Sequence, residues 1–153
     1  MDFRIRSAGL PDLPHILRHR RAMFEEIGHS EPDALAHMEQ VSRDYFRDAL
    51  RSGTYHAWMA EDADGHVVAG GGVVTADWPG FPGEPLARRA WILNMYTEPH
   101  ARRRGLARLL VRTMIEWCRA VGLRSVWLHA SDAGRPVYSS LGFQPTNEMN
   151  LLL

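Results

Sequence analysis

The chain has 153 residues, 45% hydrophobic and 24% charged, enough for a full core and fitting a single domain over residues 1–153. Its 18 basic and 18 acidic residues cancel, so charge gives no general pull toward nucleic acid or a membrane surface. No apolar run approaches membrane-spanning length, Phe3-Arg4-Ile5-Arg6 is not the apolar block of a signal peptide, and Cys118 is the single cysteine. A reducing cytoplasm is the expected compartment.

Residues 3–7 alternate as a first strand. Pro11 and Asp12 open a helix carried by Leu13, Ile16, Leu17, Met23, Phe24 and Ile27 and stopped at Gly28. A second helix follows Pro32, with Ser30 as its expected cap, and ends at Gly53. Residues 54–60 form a strand with Tyr55, Ala57 and Met59 on one face. Asp62-Ala63-Asp64-Gly65 is a hairpin turn signal, and residues 66–76 return as the next strand. Gly70-Gly71-Gly72 within it marks a bulge or a close approach of another element. The stretch 77–89 holds three prolines, two glycines, Trp78 and Phe81, and reads as an irregular loop of the kind that often touches substrate.

Residues 91–97 are a short apolar run suited to a buried strand, closed by Pro99. Leu106, Leu109, Leu110, Met114, Trp117, Cys118 and Val121 then follow at spacings of three and four, one face of a helix that ends at Gly122. A strand thus turns through Arg102-Arg103-Arg104-Gly105-Leu106-Ala107 into a helix N-terminus, whose unpaired N–H groups and dipole favour an anion. Small residues at 105 and 107 leave room for a phosphate to approach. The pattern is neither a P-loop nor a dinucleotide fingerprint. Because every basic residue here is arginine, the triplet at 102–104 is not by itself a basic patch. Residues 125–130 form a strand parallel to 91–97, Ser131-Asp132 cap a short helix stopped by Gly142, and residues from 143 onward are expected as a final strand.

Arg-x-x-Gly-x-Ala at 102–107, after a strand ending in Thr-Glu-Pro, resembles the acetyl-CoA-binding motif of the GCN5-related N-acetyltransferases, the GNAT superfamily. Gly134 to Phe143, a helix bearing Tyr138 followed by Leu-Gly-Phe, is similar to that family's closing motif, so the likeness spans essentially the whole chain. Two positions depart from it: the family often has Asn and Ala where this chain has Ser131 and Gly134. The resemblance implies an α/β fold, a mixed, mostly antiparallel sheet flanked by helices with a splayed parallel strand pair. It implies acetyl-CoA as acetyl donor and no metal.

By position, Met95, Tyr96 and Thr97 would take the pantetheine arm, with Ser131 as a weaker hydroxyl contact. Arg102, Arg103, Arg104, Gly105, Leu106, Ala107 and Arg108 would surround the pyrophosphate. Tyr138 would be the acid for the departing thiolate, since a phenol remains protonated until that thiolate forms. Glu26 is the favoured base; Glu25, Asp77 and His129 are alternatives, and each of the four also suits an ordinary solvated polar role.

Cys118 lies on an apolar stripe and reads as a packed thiol, not a nucleophile. His15 and His19 have metal-ligand spacing but no HExxH partner, and read as solvated helix histidines. The expected reaction is direct acetyl transfer to a primary amine of a small molecule or peptide, without nucleic-acid or membrane partners. The resemblance leaves room for a homodimer. The rival reading is a CoA-binding sensor or interaction module without transferase activity.

Overall fold

A computed structural model describes residues 3–153. Five strands run β1 (Arg4–Ala8), β2 (Tyr55–Glu61), β3 (Val67–Asp77), β4 (Arg88–Thr97) and β5 (Trp127–Leu128), in sheet order β1-β2-β3-β4-β5. The first four are antiparallel, and β5 joins β4 in parallel. Four helices, α1 (Leu13–Glu26), α2 (Pro32–Ser52), α3 (Leu106–Ala120) and α4 (Arg135–Ser140), flank the sheet.

The period-two pattern of β2 divides its side chains between two cores. Tyr55, Ala57 and Met59 pack with Ile16 and Leu17 of α1 and Phe46 and Ala49 of α2. Trp58 and Ala60 join Val73, Ala90 and Ile92 beneath Leu106, Leu110, Val111, Met114 and Cys118 of α3. The α3 stripe is therefore rotated slightly from the sequence expectation: Val111 is buried, while Leu109 and Val121 face solvent. Gly53 and Gly122, both at positive φ, follow α2 and α3 as expected. Ser30 does not cap α2, whose N-cap is Glu31.

The glycine triplet is both a bulge site and a close contact. Gly72 faces Leu93 and Gly70 faces Tyr96, so two β4 residues, Asn94 and Met95, stand opposite Gly71 alone. A Cβ on Gly71 would lie 2.2 Å from the Met95 sulfur, and one on Gly72 would lie 2.4 Å from the Tyr55 ring.

Two strand expectations fail. The strand expected over 125–130 shrinks to Trp127–Leu128, because Glu84 takes the Ser125 N–H and the outer edge of β5 has no neighbour among the described residues. No strand forms after α4: residues 144–153 are exposed, Pro145 lacks a donor, and they do not pair with the free outer edge of β5. The loop is irregular as expected but spans 78–87 and not 77–89, because β3 runs to Asp77 and β4 begins at Arg88; it holds a bridge between Phe81 and Glu84.

Gly72→Ala should lower stability by about 1–3 kcal/mol, because the Tyr55 ring is 2% exposed and wedged against Phe46 and cannot move aside. Gly80→Ala, where a Cβ meets nothing within 4 Å, should change it by less than about 0.5 kcal/mol. Urea unfolding midpoints measure both, and equal effects would refute the packing role of the triplet.

Glu84 gives a pH signature. Burial works to raise its pKa, but donors from Arg124 N–H (3.0 Å), Ser125 N–H (3.1 Å) and the Ser125 hydroxyl (3.1 Å) outweigh that and hold it below the usual glutamate value. A carboxyl lowered in the folded state stabilises above its unfolded pKa of about 4.3 and loses that contribution as pH falls through the folded value. Wild type should therefore melt above Glu84→Gln at pH 7, with the gap closing below about pH 4. A gap that is independent of pH would contradict this.

Candidate acetyl-transfer site

The bulge shapes the site. Asn94 has φ +62°, a left-handed backbone that asparagine tolerates better than most residues. Its side-chain amide, 4% exposed, donates to the Ile16 carbonyl of α1 at 3.0 Å and so ties the bulge to the helix across the core. Its Oδ1 is buried without a protein partner. Pairing between β4 and β5 stops at Ile92–Leu128, immediately before the bulge. From residue 93 to Thr97, β4 pairs with β3 on one side only, and no strand among the described residues takes the backbone groups of its other edge.

That start is built for an anion. After β4, Pro99–Ala101 make one 3-10 turn, and Arg103 (φ +61°) and Gly105 (φ +80°) are both left-handed. Such alternation turns successive N–H groups to one side as a nest. Gly105 is the N-cap of α3 and offers no side-chain cap; a Cβ there would meet nothing within 4 Å. Among the described residues no side chain caps the first turn of α3, and the helix dipole lies behind its amides.

The arginines divide. The Arg102 side chain does not join that turn: it donates to the Thr97 carbonyl at 2.9 Å, pairs with Glu26 at the end of α1, and lies over the Tyr96 ring at 5.7 Å. Arg104 lies over the Phe3 ring at 5.9 Å. Arg103 and Arg108 are exposed. Leu106 is core and Ala107 half-buried. Met95 packs toward α3, Tyr96 is buried toward α1, and Thr97 ends the strand.

Tyr138, on α4, lines a cavity of about 1240 Å³ whose walls also include Trp91, Leu128 and His129. Its ring packs edge-on against Phe143 at 5.8 Å and joins the α3-side core, and burial pushes its phenol above its ordinary pKa. The departure at 134 has a steric reason here. A Cβ on Gly134 would lie 2.9 Å from the Tyr138 ring and 3.2 Å from the Ser131 hydroxyl. The Ser131 hydroxyl accepts the Gly134 N–H at 3.1 Å in the turn before α4, but the N-cap of α4 is Gly134 without a side-chain cap, not the expected Ser131-Asp132.

The candidate bases are not equivalent. Glu25 pairs with Arg21 at 2.9 Å, and Glu26 pairs with Arg102 while accepting from the Tyr96 hydroxyl at 3.3 Å. Asp77 is exposed at the far end of β3. His129 is exposed just past β5, edge-on to Trp91 at 5.2 Å.

His19 is a correction. It is 1% exposed, not solvated, and burial, aided by Arg18, lowers its pKa to about 4, so it is neutral at pH 7. Among the described residues, one set of ligand atoms lies close enough to hold a cation, Asp62, Asp64 and His66 in the hairpin turn, where Asp62 already accepts two backbone N–H groups. Cys118 is buried as expected, and burial raises its thiol to about 11.

Sequence reasoning missed Asn94 and Arg89. Asn94 was visible only as the one amide in an apolar run. Arg89, 7% exposed, lies over the rings of Trp78 (4.6 Å), Trp91 (4.5 Å) and Trp127 (3.7 Å) and pairs with Glu148. No local pattern announces a contact among four such distant segments.

Comparison with known proteins agrees with this geometry. Residues 16–143 match the Acetyltransferase (GNAT) family. The structure is similar to a GCN5-related N-acetyltransferase from Ralstonia eutropha JMP134, 34% identical over 99% of each chain, with a TM-score of 0.93. It is also similar to a predicted acetyltransferase from Clostridium acetobutylicum whose structure holds acetyl-CoA, 26% identical over 99% of this chain and 96% of that one, at a TM-score of 0.89. A putative acetyl transferase from Pyrococcus furiosus shares the fold at 13% identity and a TM-score of 0.79, with 99% of each chain covered. No protein of curated function matches the sequence. No described helix is long and apolar enough to cross a membrane. The chain belongs to the GNAT family of acetyltransferases.

Proposed function

We propose that this protein transfers an acetyl group from acetyl-CoA to a primary amine of a small molecule or peptide, by direct attack. The observation that supports the reading is that β4–β5 pairing ends at Ile92–Leu128, just before the Asn94 bulge, in the same strand that runs on to the start of α3, which has no side-chain cap. Backbone groups of Met95, Tyr96 and Thr97 suit a pantetheine arm, which needs an edge of peptide donors and acceptors. Amides of residues 103–108 suit a pyrophosphate, with the exposed Arg103 and Arg108 side chains adding attraction.

The chemistry follows from those positions. The amine nitrogen attacks the thioester carbonyl, the C–N bond forms, and the developing oxyanion needs N–H donors. The C–S bond then breaks, and the thiolate takes the Tyr138 proton while the amine gives up its own to a base. The buried phenol is held protonated at neutral pH, which suits an acid. Glu26 acts as that base only by releasing Arg102 and Tyr96, most simply through a water. Of the other exposed candidates, Glu25, Asp77 and His129, the last stands edge-on to Trp91. Cys118 supports a route without a covalent enzyme intermediate, because a thiol raised to about 11 supplies almost no thiolate at pH 7.

Tyr138→Phe should lower kcat by roughly 100-fold or more with little change in acetyl-CoA affinity. A thiol-release assay over amines, amino acids, aminoglycosides and peptide N-termini reads the first, and calorimetry the second. Matching losses in both would make Tyr138 a binding residue. Wild type that binds acetyl-CoA yet releases no thiol with any amine would be a CoA-binding module.

Gly105→Glu should abolish acetyl-CoA binding, by putting negative charge where the diphosphate would sit. Gly105→Ala separates charge from backbone strain, since both substitutions strain a φ of +80°. Affinity retained in Gly105→Glu would refute the cradle.

A further inference from the structure

The cavity that holds Tyr138 and His129 also contains a group the proposed reaction does not use, the guanidinium of Arg89 at the start of β4. An arginine is charged at any neutral pH, yet this one is buried among the rings of Trp78, Trp91 and Trp127. Its carboxylate partner among the described residues is Glu148, which meets Nη2 through one oxygen. Arg89 Nε, the other half of that two-pronged donor, is buried without a partner, and so is Nε1 of Trp127. Buried donors are nearly always paired, so two left over in one cavity point to an acceptor that the chain itself does not supply. Glu148 is loosely rooted for such a position. Residues 144–153 form no helix or strand and are exposed. Among the described residues, the pair with Arg89 is the one hydrogen bond that ties this segment to the rest of the chain.

We infer that Arg89 selects the acceptor and that Glu148 stands in for it: the amine that is acetylated carries a carboxylate, which displaces Glu148 and takes both prongs of Arg89. A free carboxylate is flat and two-pronged, so it pairs with Nε and Nη2 together, where Glu148 meets Nη2 alone. The indole rings keep water from that pair, which strengthens it, and their faces suit the apolar body of an acceptor. Arg119, Arg124 and Arg135 also border the cavity, but they are exposed, and water screens their charge. Arg89 is the buried one. Trp91 links it to the reacting end, since its ring lies 4.5 Å from the Arg89 guanidinium and 5.2 Å from the His129 ring. An acceptor anchored at Arg89 and lying along Trp91 thus keeps its amine in the cavity that Tyr138 lines. This inference rests on the acetyl-transfer reading and names the substrate class of that same site.

Tryptophan fluorescence reads acceptor binding without acetyl-CoA, and thiol release reads turnover. The probes are phenylalanine, γ-aminobutyrate and glycylglycine, each beside its own carboxamide, with phosphoethanolamine as the phosphate counterpart. At least one carboxylate should bind and turn over roughly 10-fold or more better than its carboxamide. Glu148→Gln removes the internal rival from an exposed segment. It should lower Kd and KM for that carboxylate by roughly 10-fold, with kcat and the carboxamide values unchanged. Arg89→Gln should erase the preference for the carboxylate; if circular dichroism shows that this variant is unfolded, the Glu148 variant decides alone. Carboxamides that match or exceed their carboxylates, phosphoethanolamine preferred to every carboxylate, or carboxylate binding that is absent, unchanged or weaker in Glu148→Gln would each overturn the inference and leave acetyl transfer standing. Carboxylate binding that Glu148→Gln tightens, with no thiol released from any amine, would sustain the Arg89 site and overturn the transfer reading instead.

Discussion

Two residues of β4, Asn94 and Met95, stand opposite the single residue Gly71, and the candidate site depends on that mismatch. The missing side chain at Gly71 makes it sterically feasible, because any Cβ there would run into the Met95 sulfur. The Asn94 amide anchors it by bonding the Ile16 carbonyl inside the core. The parallel pairing of β4 with β5 ends after two residues, just before the bulge, and leaves a strip of β4 backbone without a strand partner on that side among the described residues.

Polar contacts from distant parts of the chain hold the surroundings of that opening. Arg102 bridges the end of β4 to the end of α1 through Thr97 and Glu26, fixing the turn that leads to Gly105. Glu84 reaches from the 78–87 loop to the backbone of Arg124 and Ser125, which positions the approach to β5. Arg89 gathers Trp78, Trp91 and Trp127 at the same end of the sheet. The helix terminus itself carries no side-chain cap, so its dipole and amides are directed at solvent and at whatever anion arrives.

Most of the scaffold was legible from periodicity alone. The apolar stripe identified α3, and the alternation at Tyr55, Ala57 and Met59 identified the face that β2 turns to α1 and α2. Gly105 and Tyr138 were found through family motifs, which encode local turns and therefore survive in sequence. What was not legible is long-range. The burial of His19, the pairing of Arg102 with Glu26 and the stacking on Arg89 join residues far apart in the chain, and no spacing rule reaches them. The residues after Phe143 illustrate a different failure. A strand was expected there, but a strand needs an edge to pair with, and these residues pair with none of the described strands.

The central claim is that the strand edge exposed by the Asn94 bulge and the amides at the start of α3 together receive one extended, diphosphate-bearing donor. Backbone amide resonances followed during titration with CoA test it most directly. The account predicts saturable shifts concentrated at residues 93–97 and 103–108, strongest near Gly105. Saturation with those amides unmoved, or with shifts grouped elsewhere on the sheet, would contradict it.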